Sequence, residues 1–211
     1  CLPVMLDVGT NNEALLVDPL YVGTRRKRAT DAEFDELVEE FIEATQAVFP
    51  GGLVQVEDFA NHNAFRLLQK YRNRICSFND DIQGTASVVV AGIYSALRIT
   101  RKKMREQTFL CLGAGEAATG ISDLLVAAMR ADGLTEAQAR GRCWLVDSKG
   151  LVVAERSGLA EHKKPYAHAH APVADFLGAV KALKPTAIIG VAATPNTFTR
   201  EVIETMTQRN E

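Results

Sequence analysis

At 211 residues, with 47% apolar and 24% charged side chains, the chain is long enough to bury a sizeable core, either as one large domain or as parts of two. A net charge of −2 argues against nucleic-acid and anionic-membrane partners, both of which are held through a basic excess. No run reads as membrane-spanning, because the longest apolar stretch is broken by Ser, Tyr and Gly and followed by Arg98, and no secretory signal is visible. The cysteines Cys1, Cys76, Cys111 and Cys143 are too widely spaced for a zinc site. They read as reduced thiols of a cytoplasmic protein, with a mitochondrial or other organellar home as the alternative.

In chain order, residues 2–8 are predicted as a strand and 9–12 as a turn. Residues 15–21 contain Asp18-Pro19 and are predicted as an extended or turning connection. Arg25-Arg26-Lys27-Arg28 is read as a solvated loop, with a phosphate or acidic partner as the alternative. Thr30 with Glu33 forms a capping box, and Phe34, Leu37, Val38, Phe41, Ile42 and Thr45 recur at helical spacing behind it. Pro50-Gly51-Gly52 ends that helix, residues 53–56 form a short buried strand, and residues 61–71 a second helix. The chain starts at Cys1 inside a strand-like run and closes just after a helix, which reads as a piece of a longer polypeptide.

Two acidic pairs stand out. Glu57-Asp58 fall at a strand-to-helix junction, and Asp80-Asp81 precede the apolar helix that begins near Thr85 and Ala86. A helix start favours anions through its free NH groups and dipole. A helix apolar on nearly every side is expected to be buried, so its start is expected to open onto an interior cleft. If the pairs converge, their oxygens suit a hard dication such as Mg²⁺ or Mn²⁺; the alternative is two unrelated helix caps.

Residues 108–112 read as a buried strand running into Gly113-Ala114-Gly115-Glu116-Ala117-Ala118, with a helix following over 121–131. Between a strand and a helix each small residue serves a separate purpose. Gly113 makes the tight turn, Gly115 admits a pyrophosphate, and Ala118 allows close helix packing. The next strand, 143–146, ends at Asp147, where such folds place the carboxylate that holds a ribose diol. The interval from Gly113 is long because 132–139 insert an extra capped helical turn. Ser148, Lys149, Lys163 and Lys164 could accommodate a ribose 2′-phosphate or be ordinary surface groups. His162, His168 and His170 lack metal-ligand spacing and are not read as a site. A helix over 174–183, a third parallel strand over 186–191 and a helix capped by Thr199 complete the alternation. The predicted fold class is therefore α/β: a doubly wound parallel sheet of Rossmann-like type over 80–211, preceded over 1–79 by part of a second α/β domain.

The strings at 54–61, 78–86, 113–118, 144–150 and 184–191 resemble malic enzyme, the oxidative decarboxylase of L-malate, over essentially the whole chain. The Asn-Asp-Asp-Ile-Gln-Gly-Thr string at 79–85 is the most specific of them. The resemblance implies that Glu57, Asp58 and Asp81 bind Mg²⁺ or Mn²⁺ and that Asp80 supports a catalytic lysine. It places Thr85, Gly113, Gly115, Glu116, Ala117, Ala118 and Asp147 at the dinucleotide, with Ser148 and Lys163 marking the NADP-preferring type rather than NAD. The family's lysine base, tyrosine acid and arginine precede this segment and its malate-binding asparagines follow it, so the 211 residues alone are expected to turn over no malate. The implied partners are L-malate and pyruvate, with a homo-oligomer for the full-length enzyme. Two rivals remain: a metal-independent Rossmann dehydrogenase and a non-catalytic dinucleotide-binding module.

Overall fold

The structure, a computed structural model, describes residues 1–208 and Asn210, and of Asn61 only the backbone. Arg209 and Glu211, at the end of the domain expected over 80–211, lie outside the described residues. The chain divides into two compact units, Cys1–Leu53 and Val54–Glu211.

The first unit corrects two expectations. Residues 2–8 are not a strand, and Leu2, Val4 and Met5 are exposed. A strand is stable only when a neighbour takes up its ladder, and no strand is present among the described residues of this unit. Asp7 instead ties a loop, its carboxylate accepting from Gly9 N at 2.9 Å and from Thr24 N at 2.6 Å. Of residues 15–21, predicted as an extended or turning connection, Asp18 to Tyr21 do turn, Tyr21 N donating to Asp18 O at 3.2 Å. Residues 15–17 instead belong to a short helix α1 (Glu13–Val17), because Asn12 Oδ1 caps it by accepting from Ala14 N at 3.0 Å. All four residues of the basic run are exposed, as in a solvated loop; Arg25 donates to Pro19 O at 2.6 Å and Lys27 pairs with Glu13. Helix α2 (Asp31–Val48) carries the predicted Thr30–Glu33 capping box and buries Phe34, Val38 and Ile42.

In the second unit β1 (Val54–Val56) leads to α3 (Asn61–Tyr71) and pairs in parallel with β2 (Ser77–Asn79). One π-helical turn, Asp80–Gly84, runs into α4 (Thr85–Thr100). Beyond it come β3 (Phe109–Leu112), α5 (Glu116–Ala131), α6 (Glu136–Arg140), β4 (Cys143–Asp147), β5 (Gly150–Leu151), α7 (Phe176–Leu183), β6 (Ala187–Gly190) and α8 (Arg200–Thr207). The sheet order is β5-β4-β3-β6; β3 is parallel to both β4 and β6, and β5 is an antiparallel edge.

Successive residues of β3 point to opposite faces, as the pleat requires. Phe109 and Cys111 enter a core with residues of α4 and α5, whereas Leu110 joins Phe176, Ala179, Val180 and Val202 of α7 and α8. Helices cover both faces, so the sheet is doubly wound, and α5 begins at Glu116, earlier than the sequence implied.

Helix α4 is not wholly buried. Ala86 and Val90 enter the core, with Val89, Ile93 and Leu97 packed beside them, while Val88 is 75% and Ile99 83% exposed. By length and composition Asp80–Thr100, 21 residues of mean hydropathy 1.3, is long and apolar enough to cross a membrane. Residues 80–84 wind into the same helical rod and lengthen it, and a core helix of a soluble protein meets the same criterion of length and composition.

Candidate functional site

The turn at 79–84 explains its own sequence. Asn79 Oδ1 accepts from Ile82 N at 2.9 Å while Asn79 N donates to Gln83 Oε1 at 3.1 Å, a reciprocal brace at the turn's start. Ile82 is buried, with its carbonyl carbon only 2.8 Å from where a Cβ on Gly120 would stand. Gly84 leaves room for the Asp80 carboxylate to fold back over it. The adjacent carboxylates then part: Asp80 lines a cleft of about 770 Å³ with Phe78, Val88 and Val89, and Asp81 lines a second of about 1090 Å³. Thr85 borders both.

Asp58 reaches the second cleft as well, and its backbone N donates to Asp81 Oδ2 at 2.9 Å. The β1–α3 junction bends to achieve this, with Asp58 at φ 57° and Ala60 at φ 60°, ψ 151°. The Ala60 conformation is one that only glycine adopts freely, and strain of about 1–3 kcal/mol per such residue is typical of ligand sites. Glu57 is exposed and is held above the usual carboxylate range, by desolvation first and then by Asp80, Asp81 and Asp58. Glu116 is raised likewise, by burial and then by Asp81 and Asp58.

This concentration of like charge has the oxygen chemistry of a hard-cation site. Among the described residues, however, no group of three or more His, Cys, Asp or Glu side chains is arranged to hold a metal ion. The donor types fit a dication, while Glu57 Oε2 is engaged with Gln55 Nε2 at 3.3 Å and Asp81 Oδ2 with the Asp58 backbone.

The rest of the 1090 Å³ cleft is the strand–turn–helix unit: Leu112, Gly113, Ala114, Gly115, Glu116 and Ala117, faced by Val146, Asp147 and Ser148. Gly113 has φ 126°, and a Cβ there would stand 3.0 Å from Val191 O, so the turn needs glycine twice over. The free NH groups at the start of α5 open into the cleft. Ala118, 1% exposed, packs into the core rather than the cleft.

Asp147 closes β4, and both of its carboxylate oxygens are engaged. Its Oδ2 accepts from Lys163 Nζ at 2.8 Å and Arg156 Nη2 at 3.0 Å, and its Oδ1 from Lys149 N at 2.9 Å. Burial opposes its ionisation, but these partners outweigh it and hold the carboxyl down to about 2. Because that lies below the ordinary 3.8, the stabilisation is complete above about pH 4 and is lost as pH falls through about 2. Asp147→Asn is expected to cost about 2–3 kcal/mol at pH 7. The difference from wild type should vanish near pH 2, as denaturant unfolding at both pH values would read. Arg156 was not singled out from the sequence, since it lies nine positions beyond its partner, past the β4–β5 turn.

His162 was passed over too. It sits in the 3-10 turn Glu161–Tyr166, its Nε2 3.1 Å from Ala114 O and its ring stacked on Phe65. His168 Nε2 contacts Cys143 O at 2.9 Å.

A mostly parallel sheet with helices on both faces, a glycine turn opening a helix, and an acid ending the next strand define a dinucleotide-binding protein of Rossmann type. The chain belongs to the malic enzyme family: its residues 82–211 match the model "Malic enzyme, NAD binding domain" and residues 1–72 match "Malic enzyme, N-terminal domain". It is 53% identical over 212 residues to the NADP-dependent malic enzyme of Mus musculus and 52% to that of Homo sapiens. It is also 52% identical to the human "NADP-dependent malic enzyme, mitochondrial". Each alignment covers 100% of this chain, but the chain spans only 37%, 37% and 35% of those relatives. Among solved structures, the malic enzyme of Entamoeba histolytica superposes with TM-score 0.65 at 24% identity, covering 81% of this chain and 35% of that one. The NAD-dependent malic enzyme of Thermotoga maritima gives 0.66 at 24%, covering 85% and 45%, and at this identity both speak for the fold.

Proposed function

We propose that the full-length protein oxidatively decarboxylates L-malate to pyruvate and CO₂, reducing NADP in preference to NAD and requiring Mg²⁺ or Mn²⁺. The observation that carries the reading is that Asp58 and Asp81 border the same cleft as the Gly113–Gly115 turn and Asp147. When bound, the nucleotide accepts hydride from C2 of the substrate and the dication polarises the C2 oxygen.

This chain's residues have the following parts. Glu57, Asp58 and Asp81 supply carboxylate oxygens to the cation, and Asp80, in the neighbouring cleft, holds the lysine that moves the substrate's hydroxyl proton. Gly113, Gly115 and the start of α5, with Glu116 and Ala117, seat the pyrophosphate, Ala118 lets α5 pack closely behind them, and Thr85 stands between the two clefts. Asp147 faces the adenosine ribose. Lys163 and Ser148 recognise its 2′-phosphate, the Asp147 charge being already offset by Lys163 and Arg156. The join between malate-binding and dinucleotide-binding parts is proposed near residue 79. The full-length protein is proposed to be a homo-oligomer, cytoplasmic or mitochondrial; the buried free thiols Cys111 and Cys143 suit either reducing compartment.

The test is equilibrium binding of NADP alone and of Mn²⁺ alone to the full-length protein, followed by assay of malate-dependent NADP reduction. Binding of both ligands together with turnover is expected. NADP binding without Mn²⁺ binding would return the reading to a metal-independent dehydrogenase if some hydroxy acid is oxidised, and to a nucleotide-sensing module if none is.

A further inference from the structure

We propose that His162 is a positioning residue for cofactor choice, fastening the turn that carries Lys163 to the Gly113–Gly115 turn and so setting where the Lys163 ammonium meets the dinucleotide. The inference rests on the reading of Lys163 as the 2′-phosphate cation and names what holds that cation in place.

Three contacts carry it. His162 Nε2 stands 3.1 Å from Ala114 O, and Ala114 is the residue between the two glycines against which a pyrophosphate must lie. A carbonyl accepts, so the imidazole presents an Nε2–H there. The other side of the ring is clamped: Phe65 of α3 stacks on it, centroids 4.6 Å apart and planes 13° from parallel. The next residue is Lys163, whose Nζ reaches Asp147 at 2.8 Å across the same cleft. One imidazole thus bridges the pyrophosphate turn and the only segment that brings a lysine to this cleft among the described residues.

The 3-10 turn has an independent anchor in Tyr166, fully buried and donating to Asp123, so removing His162 should leave the fold standing. What it removes is the tether at the Lys163 end. A lysine carries a long, flexible stem whose ordering must otherwise be met at the moment of binding. Burial, and then the Lys163 charge, lowers the pKa of His162, favouring a neutral ring that adds no charge of its own near the phosphate.

The experiment measures Kd for NADP and for NAD by calorimetry on the full-length protein and on His162→Ala, His162→Gln, Lys163→Gln and the His162→Ala/Lys163→Gln double variant. Loss of one hydrogen-bonded tether predicts about 3- to 10-fold weaker NADP binding in His162→Ala, with NAD binding nearly unchanged. His162→Gln, which keeps an N–H donor, should recover most of the loss. In the Lys163→Gln background, His162→Ala should not change the NADP/NAD ratio further. Equal weakening of both nucleotides, or an undiminished effect in that background, would overturn the proposal, because His162 would then merely support the fold or act on its own. An unchanged NADP/NAD ratio in Lys163→Gln alone would overturn the reading of Lys163, and this inference with it.

Discussion

Gly120→Ala is expected to destabilise the second unit by about 2–3 kcal/mol, although alanine is the better helix former by about 1 kcal/mol. Gly120 lies inside α5 and is buried, and an added Cβ would overlap the Ile82 carbonyl oxygen, with the carbonyl carbon at 2.8 Å and Ile82 Cγ2 at 3.0 Å. The obstacle is backbone, which cannot rotate aside as a side-chain tip can. The π-turn must move or α5 must, and both carry site residues: Asp80 and Asp81 on one, the nucleotide-facing first turn on the other. Gly92 is the internal control. It also lies within a helix, α4, but nothing stands within 4 Å of its Cβ position, so Gly92→Ala should stabilise by about 0.5–1 kcal/mol. Denaturant unfolding of the two variants should give opposite signs. Equal signs would mean the Ile82–Gly120 contact does not constrain the chain.

Asp81→Ala in the full-length protein is expected to lower Mn²⁺-dependent turnover by more than the roughly 10–100-fold typical of removing a group that only orients a metal ligand. NADP should bind at least as tightly as before, since a negative charge has left the cleft that receives its phosphates. Stability should change little. The lost bond to Asp58 N is offset by relief of repulsion, because Asp81 is one of the charges holding the Glu57 and Glu116 carboxyls above their usual range. Weakened binding in a direct Mn²⁺ titration alongside retained NADP affinity separates this outcome from misfolding. Retained Mn²⁺-dependent turnover would remove Asp81 from the cation, whereas turnover independent of Mn²⁺ in the unmutated protein would make the metal-independent dehydrogenase the better account.

Patterns that act over a few residues were legible in the chain alone. The capping box at Thr30, the β1–α3 pair, the strand ending at Gly113, the inserted turn after Asp132 and the acid closing β4 all followed from spacing, because caps, pleats and tight turns are set by near neighbours. The two acidic pairs and their place at element ends were visible for the same reason. Residues 2–8 show the limit. Their composition is that of a strand, but composition supplies no partner edge.

Tertiary structure alone decided the rest. Only packing sends Asp80 and Asp81, neighbours in sequence, into different clefts, since the π-turn that parts them depends on Gly120 in a helix formed some thirty-eight residues after Ile82. Only the return of the chain after β5 brings Arg156 and Lys163 onto Asp147 and His162 onto Ala114. The apolar run of α4 marks a helix without saying which side the core would take. Core facing, charge pairing and cleft direction depend on groups that meet through space, and one strand of sequence cannot name its own neighbours in three dimensions.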